Sequence, residues 1–214
     1  VFGALAQSVP DIDFVFSFWL EPSANVLAHR GFTHSFFFIF LIAPVFAWAA
    51  QRGWGNTQTT FKYWLTFFGI QIFVHSVLDA FNAYGTAWFE PFSHTRVSFN
   101  TLFVADPLFS MSMGVAMLVL IVTSIDTKSR VYWSAGGIIV SMIYMGFVLN
   151  NKVRIDKEVN TALREQGIDS NHYFTTPTPF NSLLWFVVAN SDSGSFVGYR
   201  SVFDRQAILD LQFF

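Results

Sequence analysis

The residues that could do chemistry lie in four short, separated stretches of the chain. The densest is His29-Arg30-Gly31-Phe32-Thr33-His34-Ser35, where two imidazoles, a guanidinium and two hydroxyls stand directly before an uncharged apolar run. The other three supply carboxylates and one more histidine: Asp11 with Asp13, His75 with Asp79, and Asp106. Ionisable groups at or inside membrane-length segments are costly to keep there, which indicates a functional site. Imidazole and carboxylate ligands without thiolates favour a divalent metal, zinc first with manganese or iron as alternatives, as one or two ions.

Each stretch has a simpler interpretation when it is taken alone. Asp11 and Asp13 follow Pro10, a pattern typical of a turn or helix cap, although in an extended segment both carboxylates point the same way. The pair His75 and Asp79 has i, i+4 spacing, so a plain hydrogen bond on one helix face also fits.

The histidines before the first apolar run are also compatible with interfacial packing beside a snorkelling Arg30. Gly31 favours a turn in this stretch, with Thr33 capping the helix that follows and both imidazoles converging. Taken together with the carboxylates, the set favours a binding site.

The composition predicts an integral membrane protein. The chain is 53% hydrophobic and 12% charged and contains 28 phenylalanines, whereas soluble domains carry roughly 25% charged residues. Four apolar segments approach the ~20 residues that cross a bilayer, at about 32–50, 61–81, 102–125 and 131–149. A net charge of -2 gives no basic face for nucleic acid, and the absence of cysteine excludes thiolate sites.

The predicted fold is mostly α: a polytopic helical membrane protein with a small C-terminal α+β soluble domain. Residues 1–149 form the membrane core, and residues 150–214 form the water-exposed domain, beginning with an amphipathic helix over 150–167. Two strand-like runs, 183–188 and 196–199, flank a turn and predict a β-hairpin. The chain begins at Val1 on what looks like the end of a helix, so we expect further residues upstream.

Counting the four crossings places the ionisable stretches at one membrane face. The loops at 51–60 and 126–130 then lie at the other face, and their basic residues Arg52, Lys128 and Arg130 favour the cytoplasm. The metal site and the C-terminal domain are therefore expected to face outward from a bacterial or archaeal cytoplasmic (inner) membrane. Clustering at one face favours an enzyme over a transporter, which would spread such groups through the midplane.

The ordered stretches resemble the YdjM-like family of bacterial and archaeal membrane-bound proteins, which are assigned as metal-dependent hydrolases and are in some cases under LexA control. The resemblance covers the whole chain, including the tail segment Thr176-Pro177-Thr178-Pro179-Phe180-Asn181. It implies a helical membrane core, a metal site, and a distant similarity to zinc phospholipases C. Family members usually carry a further Thr-His near the N-terminus, which this chain lacks. The site residues that the resemblance implies are Asp11, Asp13, His29, His34, His75, Asp79 and Asp106.

The function expected from these features is hydrolysis of a phosphoester, such as a phospholipid, by metal-activated water at the bilayer surface. Arg30 and Arg96 are expected to hold the phosphate, and Asp13 or Asp106 to act as general base. The alternatives are a non-catalytic metal-binding or ion-transport protein and a membrane anchor for the tail domain. His94 is a weaker candidate ligand, and the substrate, the metal and the oligomeric state stay open.

Overall fold

The computed structural model describes residues 2–19, 21, 30–54, 59–124, 128–168, 172–205 and 209–214. The predicted ligand His29 lies outside the described residues. The chain divides into two compact units, Val1–Phe99 and Asn100–Phe214. The predicted domain boundary between residues 149 and 150 falls inside a continuous helix of the second unit.

The first unit consists of helices and a long connector. Its elements are α1 (Phe2–Ser8), the 3₁₀ helices η1 (Pro10–Phe18) and η2 (Phe32–His34), α2 (Phe36–Trp54) and α3 (Phe61–Asp79). Helix α2 starts where the Ser35 hydroxyl accepts a hydrogen bond from the Phe38 N–H at 3.1 Å. Ser35 therefore takes the capping position that the sequence suggested for Thr33, because the Thr33 hydroxyl instead donates to Asp13.

Helices α2 and α3 pack closely through small residues on one side and aromatic residues on the other. Ala43, Ala47 and Ala50 share one face of α2 and are buried against Trp64, Phe68 and Ile72 of α3. The ring of Phe36 stacks on that of Phe73 at 5.5 Å, so the first residue of α2 lies beside the last turns of α3. This pairing brings η2, directly before α2, to the end of α3.

The connector of residues 80–99 fastens these two helix ends together. The Ala87 N–H donates to the Arg30 carbonyl and the Phe36 N–H donates to the Trp88 carbonyl, both at 3.0 Å. The Trp88 indole N–H donates to the Ser76 carbonyl of α3 at 3.0 Å. Arg30, the start of α2 and the end of α3 are therefore held in one place by two backbone hydrogen bonds and one from the Trp88 side chain.

The second unit contains two helices and an antiparallel sheet of order β1-β2-β3-β4. Its elements are α4 (Pro107–Val122), α5 (Ser129–Glu165), β1 (Tyr173–Pro177), β2 (Leu184–Ser191), β3 (Gly194–Ser201) and β4 (Leu211–Phe213). Strands β2 and β3 form the predicted hairpin, with Ser191 opposite Gly194. The predicted fourth span and the predicted amphipathic helix are one helix, α5.

Helix α5 packs against α4 in its first half and against the sheet in its second half. A Cβ atom on Gly137 would lie 2.8 Å from that of Ala116, so only glycine permits this approach. In the second half, Glu158 pairs with Arg200 of β3 at 2.8 Å. The same helix thus packs closely against another helix through a glycine in its first half and against the sheet in its second half.

Two of the described helices, α2 and α5, are long and apolar enough to cross a membrane. The expectation of four spans is therefore not confirmed. Helix α3 is continuous, but its apolar sequence is interrupted by Lys62, Gln71 and its own site residues. Helix α4 is 16 residues long, below the ~20 that a crossing needs. The first span begins at Phe36 rather than 32 because η2 occupies the preceding residues.

Candidate metal centre

Four predicted site residues converge on one point in the first unit. Asp11, His34, His75 and Asp79 each offer a ligand atom, and these atoms all lie within 4.8 Å of one another. The Nε2 atoms of His34 and His75 are 3.3 Å apart. Asp11 Oδ1 lies 3.4 and 3.5 Å from these two nitrogens, and Asp79 Oδ2 lies 3.4 and 3.8 Å from them.

Three different elements supply these side chains. Asp11 stands in the first turn of η1 directly after Pro10, and His34 ends η2 with a fully buried side chain. His75 and Asp79 are one turn apart at the end of α3, so their side chains share a face. The i, i+4 spacing thus provides half of the group, the packing of α2 on α3 brings His34 to it, and η1 supplies Asp11.

The spacing of the ligand atoms fits a four-coordinate divalent ion. Zinc binds imidazole nitrogen and carboxylate oxygen at about 2.0–2.1 Å in a tetrahedron, whose edges are then roughly 3.3 Å. The five separations between histidine nitrogens and their partners in the group run from 3.3 to 3.8 Å. Asp79 Oδ2 is also buried without a hydrogen-bond partner among the described residues. A buried oxygen in that condition is compatible with a metal ligand.

Asp13 occupies a different position from the one that the sequence suggested. Its Oδ2 atom lies 3.4 Å from Nδ1 of His34, on the opposite edge of the ring from the ligand nitrogen Nε2. The same oxygen accepts hydrogen bonds from the Arg30 N–H at 2.9 Å and the Thr33 hydroxyl at 2.8 Å. A buried carboxylate behind an imidazole fixes its tautomer and orientation in metal sites. Asp13 is not in the four-residue group, and its ligand role stays a prediction.

The carboxylates of the group favour a positive charge at its centre. Burial acts to lower the pKa of His34, but hydrogen bonds to Asp11, Asp13 and Asp79 outweigh it and raise the pKa to about 10. Burial acts to raise the pKa of Asp13, yet hydrogen bonds from His34, Arg30 and Thr33 lower it to about 2. The pKa of Asp11 likewise falls below its usual range, against its burial, through hydrogen bonds to His34 and His75. Without a metal ion, the carboxylates hold a proton on His34.

Arg30 joins the group through both its backbone and its side chain. Its φ of 61° lies in the left-handed region, which is uncommon for a residue other than glycine. Its Nε atom lies 3.2 Å from Asp79 Oδ2, and its guanidinium stands over the Tyr84 ring at 5.5 Å. Arg96 donates to the Gly85 carbonyl at 3.4 Å, and its pKa is lowered by burial and by the charge of Arg30. The two predicted phosphate-binding arginines are thus close enough for their positive charges to repel each other.

Asp106 lies in the second unit, with both carboxylate oxygens engaged. Oδ1 accepts from the N–H groups of Leu108 and Phe109 at 2.9 and 3.2 Å, which caps α4. Oδ2 accepts from the hydroxyls of Tyr144 and Ser182, both at 2.9 Å. Its predicted role as ligand or base stays a prediction.

The sequence did not predict the residues that contact the predicted site residues. Thr33, expected to cap the following helix, instead donates to Asp13, and Tyr84 lies beside Arg30. In the second unit, Tyr144 and Ser182 donate to Asp106. His94 has an 86% exposed side chain paired with Glu90, and it is not in the four-residue group.

Comparison with known proteins identifies the family of the chain. The sequence model of the YdjM inner membrane protein matches residues 1–154. Inner membrane protein YbcI of Escherichia coli (strain K12) is 34% identical over 97 residues, which are 44% of this chain and 54% of that protein. The chain therefore spans about half the length of this curated relative. No solved structure matches the chain. The resemblance over residues 1–154 and the inner-membrane location expected from the sequence are confirmed, whereas the resemblance of the tail stays a prediction. The chain belongs to the YdjM inner membrane protein family.

Proposed function

We propose that this protein is a membrane-bound, metal-dependent hydrolase that cleaves a phosphoester of a membrane lipid. The observation that carries the proposal is the convergence of two imidazole nitrogens and two carboxylate oxygens from three elements within 4.8 Å. Like charges at that separation repel unless a cation lies between them. A group of this composition suits zinc, with manganese or iron as alternatives.

The chain's own residues have distinct parts in such a reaction. A divalent ion held by the four residues would need one further coordination position for a water; it would lower the pKa of that water and stabilise charge developing on a phosphoryl oxygen. Asp13 keeps Nε2 of His34 directed at the group by engaging Nδ1. Asp11 has a 49% exposed side chain, so it is the carboxylate of the group most accessible to water and substrate. We therefore assign the proton acceptor to Asp11, rather than to the enclosed Asp13 or Asp106.

The surroundings of the group support a lipid substrate. One residue, Ser35, separates His34 from the candidate span α2. At the start of that span the rings of Phe32 and Phe92 both contact Phe37, at 6.2 and 5.6 Å, and the Phe92 side chain is 81% exposed. Aromatic side chains at the end of a span suit the interface between lipid and water. A site at this depth meets lipid head groups directly, and we propose that it faces outward from the membrane.

Metal content tests the proposal first. Detergent-purified protein is analysed for zinc, manganese and iron, and His34→Ala and His75→Ala are compared with His94→Ala as the matched control. We expect stoichiometric metal in the wild type and in the control, and none in the two ligand variants. Well-folded wild-type protein that binds no added metal would overturn the proposal.

Turnover then separates an enzyme from a metal-binding or transport protein. Metal-loaded protein in lipid nanodiscs is supplied with phospholipids, and the released head group is measured. We expect release by the wild type and by His94→Ala, and loss of release in His34→Ala and His75→Ala, the variants expected to lack the metal. Bound metal without turnover of any phosphoester offered would favour the non-catalytic alternative.

A further inference from the structure

One carboxylate oxygen of the candidate metal centre, Oδ2 of Asp79, faces both the ligand group and the guanidinium of Arg30. Asp79 Oδ2 faces His34 Nε2 at 3.4 Å, in the direction of the ligand group, and Arg30 Nε at 3.2 Å. Neither Asp79 Oδ2 nor Arg30 Nε has a hydrogen bond of acceptable geometry among the described residues. The contact is therefore an ion pair held by charge alone.

The Arg30 side chain is enclosed but incompletely satisfied. It is 8% exposed, and Nη1 as well as Nε is buried without a hydrogen-bond partner in the described part of the chain. A buried guanidinium needs an anion and hydrogen bonds to offset its lost hydration. The single anionic atom within salt-bridge distance in the described residues is Asp79 Oδ2, the oxygen that the metal ion would take.

We propose that metal binding at Asp79 converts Arg30 into a binding site for an oxyanion, the phosphate group of the substrate. This inference rests on the proposed function, because it requires a divalent ion at the four-residue group. Once the ion neutralises Asp79, the guanidinium loses its counter-charge, and its planar set of N–H groups, including the unsatisfied Nη1, is left to bind the oxygens of a phosphate. Arg96, whose charge acts on Arg30, strengthens the attraction for an anion.

The coupling must be reciprocal. If the ion strengthens phosphate binding, phosphate strengthens ion binding by the same factor, since both steps close one thermodynamic cycle. We expect a factor of about ten, within the range usual for coupled sites. Arg30 also competes with the ion for Asp79 when no phosphate is present. Its removal should therefore tighten zinc binding, which is the opposite of what a merely supporting residue would show.

The test is a binding titration of the full chain with zinc alone, inorganic phosphate alone and both together. Arg30→Gln removes the charge, Arg30→Lys keeps it without the paired N–H geometry, and Arg52→Gln is the control at an exposed arginine of α2. We expect wild type and Arg52→Gln to bind phosphate about tenfold more tightly when they are zinc-loaded. Arg30→Gln should bind zinc more tightly and show no response to phosphate, and Arg30→Lys should retain a weakened response.

Several results would overturn the inference. Phosphate binding of equal strength with and without zinc would show that the two ligands are not coupled, and unchanged phosphate binding in Arg30→Gln would remove Arg30 from the site. Failure of the wild type to bind zinc would overturn the proposed function itself, and the inference with it.

A second arm identifies the source of the phosphate. Zinc-loaded protein in nanodiscs of phosphatidylcholine is compared with protein in discs that also contain phosphatidic acid. Displacement of inorganic phosphate by the anionic lipid would assign the site to a lipid head group. Binding of inorganic phosphate without such displacement would assign it to a soluble phosphate compound.

Discussion

The Nε2 atoms of His34 and His75 lie 3.3 Å apart, although 41 residues separate them in the chain. Two neutral imidazoles facing each other in this way share one hydrogen bond at most, because each ring carries one N–H. Two carboxylates stand within 3.8 Å of the same nitrogens and bring only further acceptor atoms. A proton satisfies this arrangement in part, and a divalent cation satisfies it more fully.

Zinc should stabilise the protein against thermal unfolding, and His75→Ala should abolish the effect. A ligand that binds only the folded state at a hundredfold excess over its Kd adds about 2.7 kcal/mol. The measurement is the shift in Tm on adding zinc to detergent-purified protein. His94→Ala is the matched histidine control and should keep the wild-type shift, since its side chain is exposed and lies outside the group. Equal shifts in both variants would place the zinc elsewhere.

Asp13→Asn should weaken zinc binding without removing it. The substitution keeps the size of the side chain but loses the negative charge behind His34 Nδ1. Loss of such an orienting partner typically costs about 10- to 100-fold in metal affinity. The Kd for zinc is measured by competition with a chelator, with Asp192→Asn in the exposed β2–β3 turn as control. A complete loss of binding would instead support the original prediction that Asp13 is a ligand.

Asp106→Ala should destabilise the second unit and leave the zinc content unchanged. The change removes the cap of α4, worth about 1 kcal/mol. It also leaves the hydroxyls of half-buried Tyr144 and buried Ser182 without their shared acceptor, at up to about 1–3 kcal/mol for an unsatisfied group. Tm and zinc stoichiometry are measured on the same preparation. Loss of zinc at an unchanged Tm would establish Asp106 as a ligand.

Fluorescent labels attached at positions 92 and 18 should lie at the depth of the lipid head groups. The chain contains no cysteine, so single-cysteine variants can be labelled without background. Phe92→Cys and Phe18→Cys test exposed aromatic positions beside the start of α2 and at the end of η1. Ile143→Cys on α5 and Ser193→Cys in the β2–β3 turn serve as references for the bilayer and for water.

The measurement is quenching of the attached fluorophore by lipids that carry quenchers at defined depths. The two aromatic positions should respond most strongly to head-group quenchers, and Ile143→Cys to acyl-chain quenchers. Labels at positions 92 and 18 that behave like the one at Ser193 would contradict an interfacial site.

The sequence alone determined features that depend on local spacing and on overall composition. The i, i+4 pair of His75 and Asp79 had to share a face once the segment was helical. The β2–β3 hairpin followed from two apolar runs around a polar turn. Membrane character followed from the excess of apolar residues, which no packing arrangement can hide completely.

Only the tertiary structure showed which carboxylate contacts which nitrogen of His34. An extended segment would direct Asp11 and Asp13 the same way, but η1 is a 3₁₀ helix with about three residues per turn, so residues two apart diverge. Asp11 therefore reaches Nε2 of His34, and Asp13 reaches Nδ1 of the same ring. The surroundings of Asp106 were equally hidden, because its hydroxyl partners lie 38 and 76 residues away in the chain. Spacing along the chain records neighbours on one element, whereas these assignments depend on contacts between elements.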